Sequence, residues 1–138
     1  MPIVFMSYSS NDREKVTRLA KALSQDNDIQ VWIDTEEIFP GDDLVEKMKE
    51  GIRKADRFLI CLSPSFDEKP PTSWVKDELR MAILREKESA KNIIIPVRIK
   101  KGGRIPDELG SKAYADLTTR KRWNKNLPRL IQAIKRDA

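Results

Sequence analysis

A chain of 138 residues with 27 basic and 22 acidic side chains, a net charge of +5, no histidine and a single cysteine is sized for one domain around one core. This inventory excludes Ser-His-Asp and Cys-His nucleophilic catalysis, an internal disulfide and almost every zinc site, leaving chemistry to carboxylates, hydroxyls, lysine, arginine or tyrosine. The apolar runs are strand-length, well short of the roughly 20 residues that cross a bilayer, and Met1-Pro2-Ile3-Val4-Phe5 lacks the features of a signal peptide, so the expected location is cytoplasmic with no membrane span.

Strand-like apolar runs alternate with segments of helical period, the pattern of a parallel sheet covered by helices on both faces. The first strand is Ile3 to Met6. A helix from about Asp12 to Gln25 follows, with Val16, Leu19, Ala20 and Leu23 on one face. Ile29 to Ile33 reads as the second strand. The loop Asp34 to Asp43, with its Pro40-Gly41 turn, leads to a helix that points Leu44, Val45, Met48 and Ile52 inward and carries an unfavourable Gly51. Phe58 to Leu62 is apolar throughout and should be the central strand; Cys61 within it reads as a small buried hydrophobe.

Beyond that strand, Ser63 to Thr72 holds three prolines and is expected to be irregular, with Ser73 as N-cap of a helix from Trp74 to about Ala90. Val75, Leu79, Ala82 and Ile83 form its core stripe. The fourth strand, Ile93 to Ile99, contains Pro96, which removes a ladder donor and predicts a bend or irregular end. After a loop with Gly102-Gly103 and Pro106 come a short strand, Tyr114 to Leu117, and a closing helix with Leu127, Leu130, Ile131 and Ile134 on one side. The basic runs Lys100-Lys101 and Arg120-Lys121-Arg122 read as a solvated face rather than a nucleic-acid footprint.

Five strands with right-handed crossovers give the flavodoxin-like α/β fold, strand order 2-1-3-4-5, whose ligands sit at the carboxyl ends of strands 1 and 3. The loops meeting there are Ser7 to Asn11 and Ser63 to Thr72, with the helix from Trp74 rising beside them. Trp74 and Glu78 are one helical turn apart, offering an aromatic plane and a carboxylate to one cleft; equally, they are a rim hydrophobe and a solvated glutamate. A phosphoacceptor receiver needs an aspartate ending strand 3, where Leu62-Ser63-Pro64 stands. A flavin phosphate loop needs a glycine that Ser7 to Asn11 lacks, and no Walker or dinucleotide glycine fingerprint is present.

Three segments in order resemble the conserved boxes of Toll/interleukin receptor (TIR) domains: Val4-Phe5-Met6-Ser7-Tyr8-Ser9 with Asp12 following, Val31-Trp32-Ile33-Asp34 leading to Ile38-Phe39-Pro40-Gly41-Asp42, and Ser73-Trp74-Val75-Lys76-Asp77-Glu78-Leu79. With Asn92-Ile93-Ile94-Ile95-Pro96-Val97 they cover nearly the whole chain, 1–138, read as a single TIR domain. Its start at the first strand and end after the last helix are expected of a domain cut from a larger protein. The likeness is to the NAD-cleaving branch, which includes bacterial TIR proteins and the animal TIR enzyme that drives axon degeneration.

The resemblance implies cleavage of the nicotinamide-ribose bond of NAD or NADP to nicotinamide and ADP-ribose or a cyclic isomer, with NAD as substrate and no bound cofactor or metal. It makes Glu78 the catalytic carboxylate, Trp74 the aromatic that stacks on substrate, Ser7 and Tyr8 the pocket lining, and Asp34 the start of the loop that closes over it. The same resemblance also implies a second role. In adaptor TIR domains the loop matching Ile38-Phe39-Pro40-Gly41-Asp42 mediates self-association with other TIR domains, so a non-catalytic homotypic module in signalling or defence is the alternative. Pro40-Gly41 is equally a plain tight turn before a helix.

Overall fold

In a computed structural model of the chain, the residues described are 2–25, 28–33, 40–41, 43–67, 74–110 and 112–136, excluding the side chains of 44, 45, 47, 48, 67 and 74–78. Five strands, β1 (Ile3–Ser7), β2 (Gln30–Ile33), β3 (Arg57–Leu62), β4 (Ile94–Arg98) and β5 (Ala115–Asp116), form one parallel sheet in the order β2-β1-β3-β4-β5. Helices α1 (Arg13–Ser24), α2 (Leu44–Lys54), α3 (Pro64–Asp67), α4 (Trp74–Ser89) and α5 (Arg120–Lys135) complete the chain. The flavodoxin-like α/β order expected from the alternating pattern is therefore the one formed.

Side-chain alternation along the strands splits the interior into two cores. Val4, Met6, Leu59, Cys61, Val97 and Ile99 face α1 and α5, whose Val16, Leu19, Leu23, Leu130 and Ile134 are buried against them. Phe5, Phe58, Ile60, Leu62 and Ile94 face the other way, toward Ile52 of α2 and Leu79 and Ala82 of α4. Every residue of β3 is buried, as a central strand covered on both sides requires. The aromatic centre of the second core is ordered: Phe5 stacks on Phe58 with centroids 5.5 Å apart and meets Trp32 edge-on at 5.3 Å.

Gly51 has its reason here. A Cβ built on it would lie 1.5 Å from Cζ3 of Trp32, so the glycine gives α2 the clearance to sit on the indole. Arg85 of α4 then donates to the carbonyls of Ile52 and Ala55 at the end of α2, satisfying acceptors that a helix terminus leaves open and joining the two helices.

Two sequence expectations change. Pro64 opens a helical turn, α3, inside the segment expected to be irregular: proline is tolerated at the first helical position, and the preceding Ser63 caps it by accepting from Phe66 N–H at 3.1 Å. Phe66 of that turn is fully buried. Pro96 lies inside β4, paired with Ile60, rather than at an irregular end. Ile99 N–H donates to Leu62 and Leu117 N–H donates to Arg98, so odd-numbered residues of β4 bond to β3 and even-numbered ones to β5. The donor missing at Pro96 thus falls on the β5 side, before that short ladder begins at Val97.

Candidate functional site

The carboxyl ends of β1 and β3 lie where the sheet order reverses and the first and third crossovers diverge, the place where sheets of this order bind ligands. Ser7 ends β1 there. It shares the parity of Phe5, so its side chain lies on the α2 and α4 side of the sheet. Its hydroxyl is 1% exposed and has no hydrogen-bond partner among the described residues. The indole N–H of Trp32, on the neighbouring strand and the same side, is likewise buried without a partner among them. Buried polar groups are nearly always satisfied, so these two donors on one side of the edge are the polar atoms whose partners lie beyond the described residues.

Tyr8, one residue beyond Ser7, goes the other way. It is 6% exposed and packed in the core beneath α1 and α5. The structure therefore separates the two residues expected to line one pocket: Ser7 faces the α4 side and Tyr8 lies within the opposite core. Trp74 begins α4 and Glu78 follows one turn later, confirming the helical spacing of their backbones; their side chains are outside the described residues. Asp34, Ile38, Phe39 and Asp42 also lie outside them. Pro40 and Gly41 form an exposed turn, with Gly41 at φ +94°, a conformation that favours glycine. Asp43 then caps α2 by accepting from Glu46 N–H at 3.1 Å.

Beneath these loops lies a polar knot that periodicity alone does not reveal. Asp12 has a fully buried side chain that accepts from Ser63 Oγ and is ion-paired with Lys100 Nζ at 2.7 Å. It joins the segment after β1 to the cap of α3 after β3 and to the residue just past β4. Gly103 closes over the same point, its α-carbon so near that a Cβ would come within 2.7 Å of Ser63 N. The carboxylate is thus committed to holding three loops in register at the ligand-bearing edge. The available signal was Asp12 itself, an acidic residue following the first strand, but its partners are distant in sequence.

Among the described residues no group of three His, Cys, Asp or Glu side chains could hold a metal, and no helix is long and apolar enough to cross a membrane. Burial among apolar neighbours pushes the Cys61 thiol far above its usual range, with nearby Asp12 adding to the effect, so it is not a nucleophile.

A parallel five-stranded sheet in this order, flanked by helices, is the flavodoxin-like fold that TIR domains share. The chain belongs to that family: the TIR domain model TIR_2 matches residues 4–131. Two curated relatives carry the name 2' cyclic ADP-D-ribose synthase. One is BtTIR of Bacteroides thetaiotaomicron, 35% identical over 94 residues and spanning 67% of this chain and 31% of its own length. The other is AbTIR of Acinetobacter baumannii, 30% identical over 94 residues, spanning 68% of this chain and 34% of its own length. The matched region is thus about a third of either relative. Among solved structures, the TIR domain of the Toll-related receptor TRR-2 from Hydra magnipapillata superposes with a TM-score of 0.72 at 20% identity, covering 96% of this chain and 97% of its own, a likeness of fold.

Proposed function

We propose that this TIR domain cleaves the nicotinamide-ribose bond of NAD, releasing nicotinamide and ADP-ribose or a cyclic ADP-ribose isomer. The observation that carries this reading is the 35% identity to a 2' cyclic ADP-D-ribose synthase. The Ser7 hydroxyl at the switch point, buried without a partner among the described residues, adds support.

In this reading Glu78 is the catalytic carboxylate. The nicotinamide ring of NAD is cationic, so when its bond to the ribose breaks, the bonding pair goes to the ring nitrogen and a neutral base departs. No general acid is needed there, which suits a chain without histidine. Positive charge builds on the ribose, and a carboxylate in a sheltered crevice stabilises it better than water does. Water then attacks to give ADP-ribose, or a hydroxyl of the same molecule attacks to close a ring; in both cases that oxygen gives up a proton as its new bond forms. Trp74 stacks on the cationic ring, an attraction of about 0.5–2 kcal/mol that lapses when the base becomes neutral. Ser7 bonds to the substrate. Self-assembly through the Pro40-Gly41 turn gates turnover.

The test is NAD loss and product chromatography with dilute protein and with protein crowded on beads, comparing wild type with Glu78→Gln. Turnover that rises on crowding and disappears in the variant is the expected result. A domain that self-associates but consumes no NAD in either state is the homotypic module instead.

A further inference from the structure

The Arg120-Lys121-Arg122 run lies at the start of α5, beside a cavity of about 490 Å³ on the α1 side of the sheet and away from α4. Lys15 and Arg18 of α1 form one wall; Thr118, Arg120 and Trp123 form the other. Three cationic residues therefore line one hollow. Arg18 has a loose ion pair with exposed Glu14 at 3.8 Å, whereas Lys15 and Arg120 show none among the described residues. Burial, then the charges of Lys100 and Arg18, hold the Lys15 ammonium below the usual lysine range, with Asp12 opposing them.

The backbone adds to this field. Thr119 caps α5 by accepting from Arg122 N–H at 3.1 Å and through its carbonyl from Trp123 N–H at 2.8 Å; the amides of Arg120 and Lys121, also in the first turn, have no partner of this kind among the described residues. Asp116, in the strand before α5, is taken up by Thr118 and by Arg122 at 3.2 Å. Trp123, half-buried against the α1/α5 core, supplies a flat indole wall. Its volume is that of a small-molecule site rather than an ion site.

We infer that this cavity between α1 and α5 is a second, non-catalytic site that binds a nucleotide, its phosphates held by Lys15, Arg18 and Arg120 and its base lying against Trp123. A solvated charge run has no need of an aromatic wall, and a core aromatic has no need of three cations beside it. The site lies on the opposite side of the sheet from Ser7 and does not depend on NAD cleavage.

The experiment is titration of the Glu78→Gln protein with ADP and with inorganic pyrophosphate, followed by amide NMR and calorimetry. ADP should shift the amides of residues 118–124. Arg120→Ala and Lys15→Ala should each weaken that binding about tenfold, the scale of one charge-assisted contact. Trp123→Leu should weaken ADP but leave pyrophosphate unchanged, which a merely electrostatic patch would not do. Because Arg120 is exposed, that variant should fold as wild type, checked by its thermal midpoint. ADP shifts that bypass residues 118–124, or binding indifferent to both cation substitutions, would overturn the inference. So would a DNA duplex that outcompetes ADP there with a steep salt dependence. Absence of NAD turnover in the wild type would leave this result standing.

Discussion

Replacing Gly51 by alanine sets two effects of known size against each other. In a helix interior alanine is favoured over glycine by about 1 kcal/mol. Here the new methyl would sit 1.5 Å from Cζ3 and 2.1 Å from Cε3 of Trp32, well inside contact distance. The indole cannot simply turn aside, because its edge is set against Phe5, which is itself stacked on Phe58. Overpacking of this kind costs about 1–3 kcal/mol, and a displaced edge-to-face pair loses about 0.5–1.5 kcal/mol more. Steric conflict wins, and the net destabilisation should be about 1–3 kcal/mol. For a chain of this length that lowers the melting midpoint by about 3–10 °C. Urea and thermal unfolding followed by circular dichroism would measure it, with Gly51→Ala/Trp32→Leu as the partner variant in which the conflict is removed. If Gly51→Ala alone proves neutral or stabilising, the packing argument is wrong and helix propensity decides.

Other consequences can be checked alongside. Ser7→Ala removes a hydroxyl with no described partner, so it should leave urea stability unchanged within about 0.5 kcal/mol while reducing NAD turnover in the crowded assay. Lys100→Met strips the counter-charge from a carboxylate that remains buried, and should cost about 1–3 kcal/mol in urea unfolding, with Asp12→Asn/Lys100→Met recovering part of it. Glu86 accepts from Ile93 and Ile94 N–H, both at 2.8 Å, and pairs with Lys112 at 3.0 Å; burial alone would raise its pKa, but these bonds outweigh it and hold the carboxyl below its ordinary value. The stability this confers is therefore present above the unfolded-state pKa of about 4.3 and drains away as pH falls through the lower folded value; a Glu86→Gln protein should show a shallower loss across that acid range. Cys61, fully buried, should resist iodoacetamide in the native state at pH 8 and react only after unfolding, as mass spectrometry would register.

The sheet order was legible because β3 is apolar at every position and the flanking helices carry clear stripes, so period alone separated strands from helices. Pro64 misled for a local reason: counting prolines forbids a helix interior, but says nothing against a first turn capped by a serine. The placing of Tyr8 was hidden for a geometric reason. Adjacent residues at a strand end point to opposite sides, and the same alternation that put Ser7 toward α4 buried Tyr8 beneath α1. The knot of Asp12, Ser63 and Lys100 was beyond reach of any window, since its members come from three crossovers and meet only when the sheet has formed. Trp74 and Glu78 rest on helical spacing and on resemblance, and the helix is present at both positions.

Arg57 opens β3, yet its guanidinium spans the molecule's amino edge. It donates to Asn92 C=O at 3.0 Å, to Ala133 C=O at 3.4 Å, and to Arg136 C=O at the end of α5. The last helix is therefore finished by a side chain 79 residues upstream. Cut free as a peptide, α5 would keep its Thr119 cap at one end but have its other end open to water, with Pro128 weakening the middle. Its final turn becomes durable only after the central strand is seated. In hydrogen exchange the amides near Ala133 and Arg136 should consequently open together with β3 rather than fray ahead of it, so that the tail of the chain keeps time with its middle.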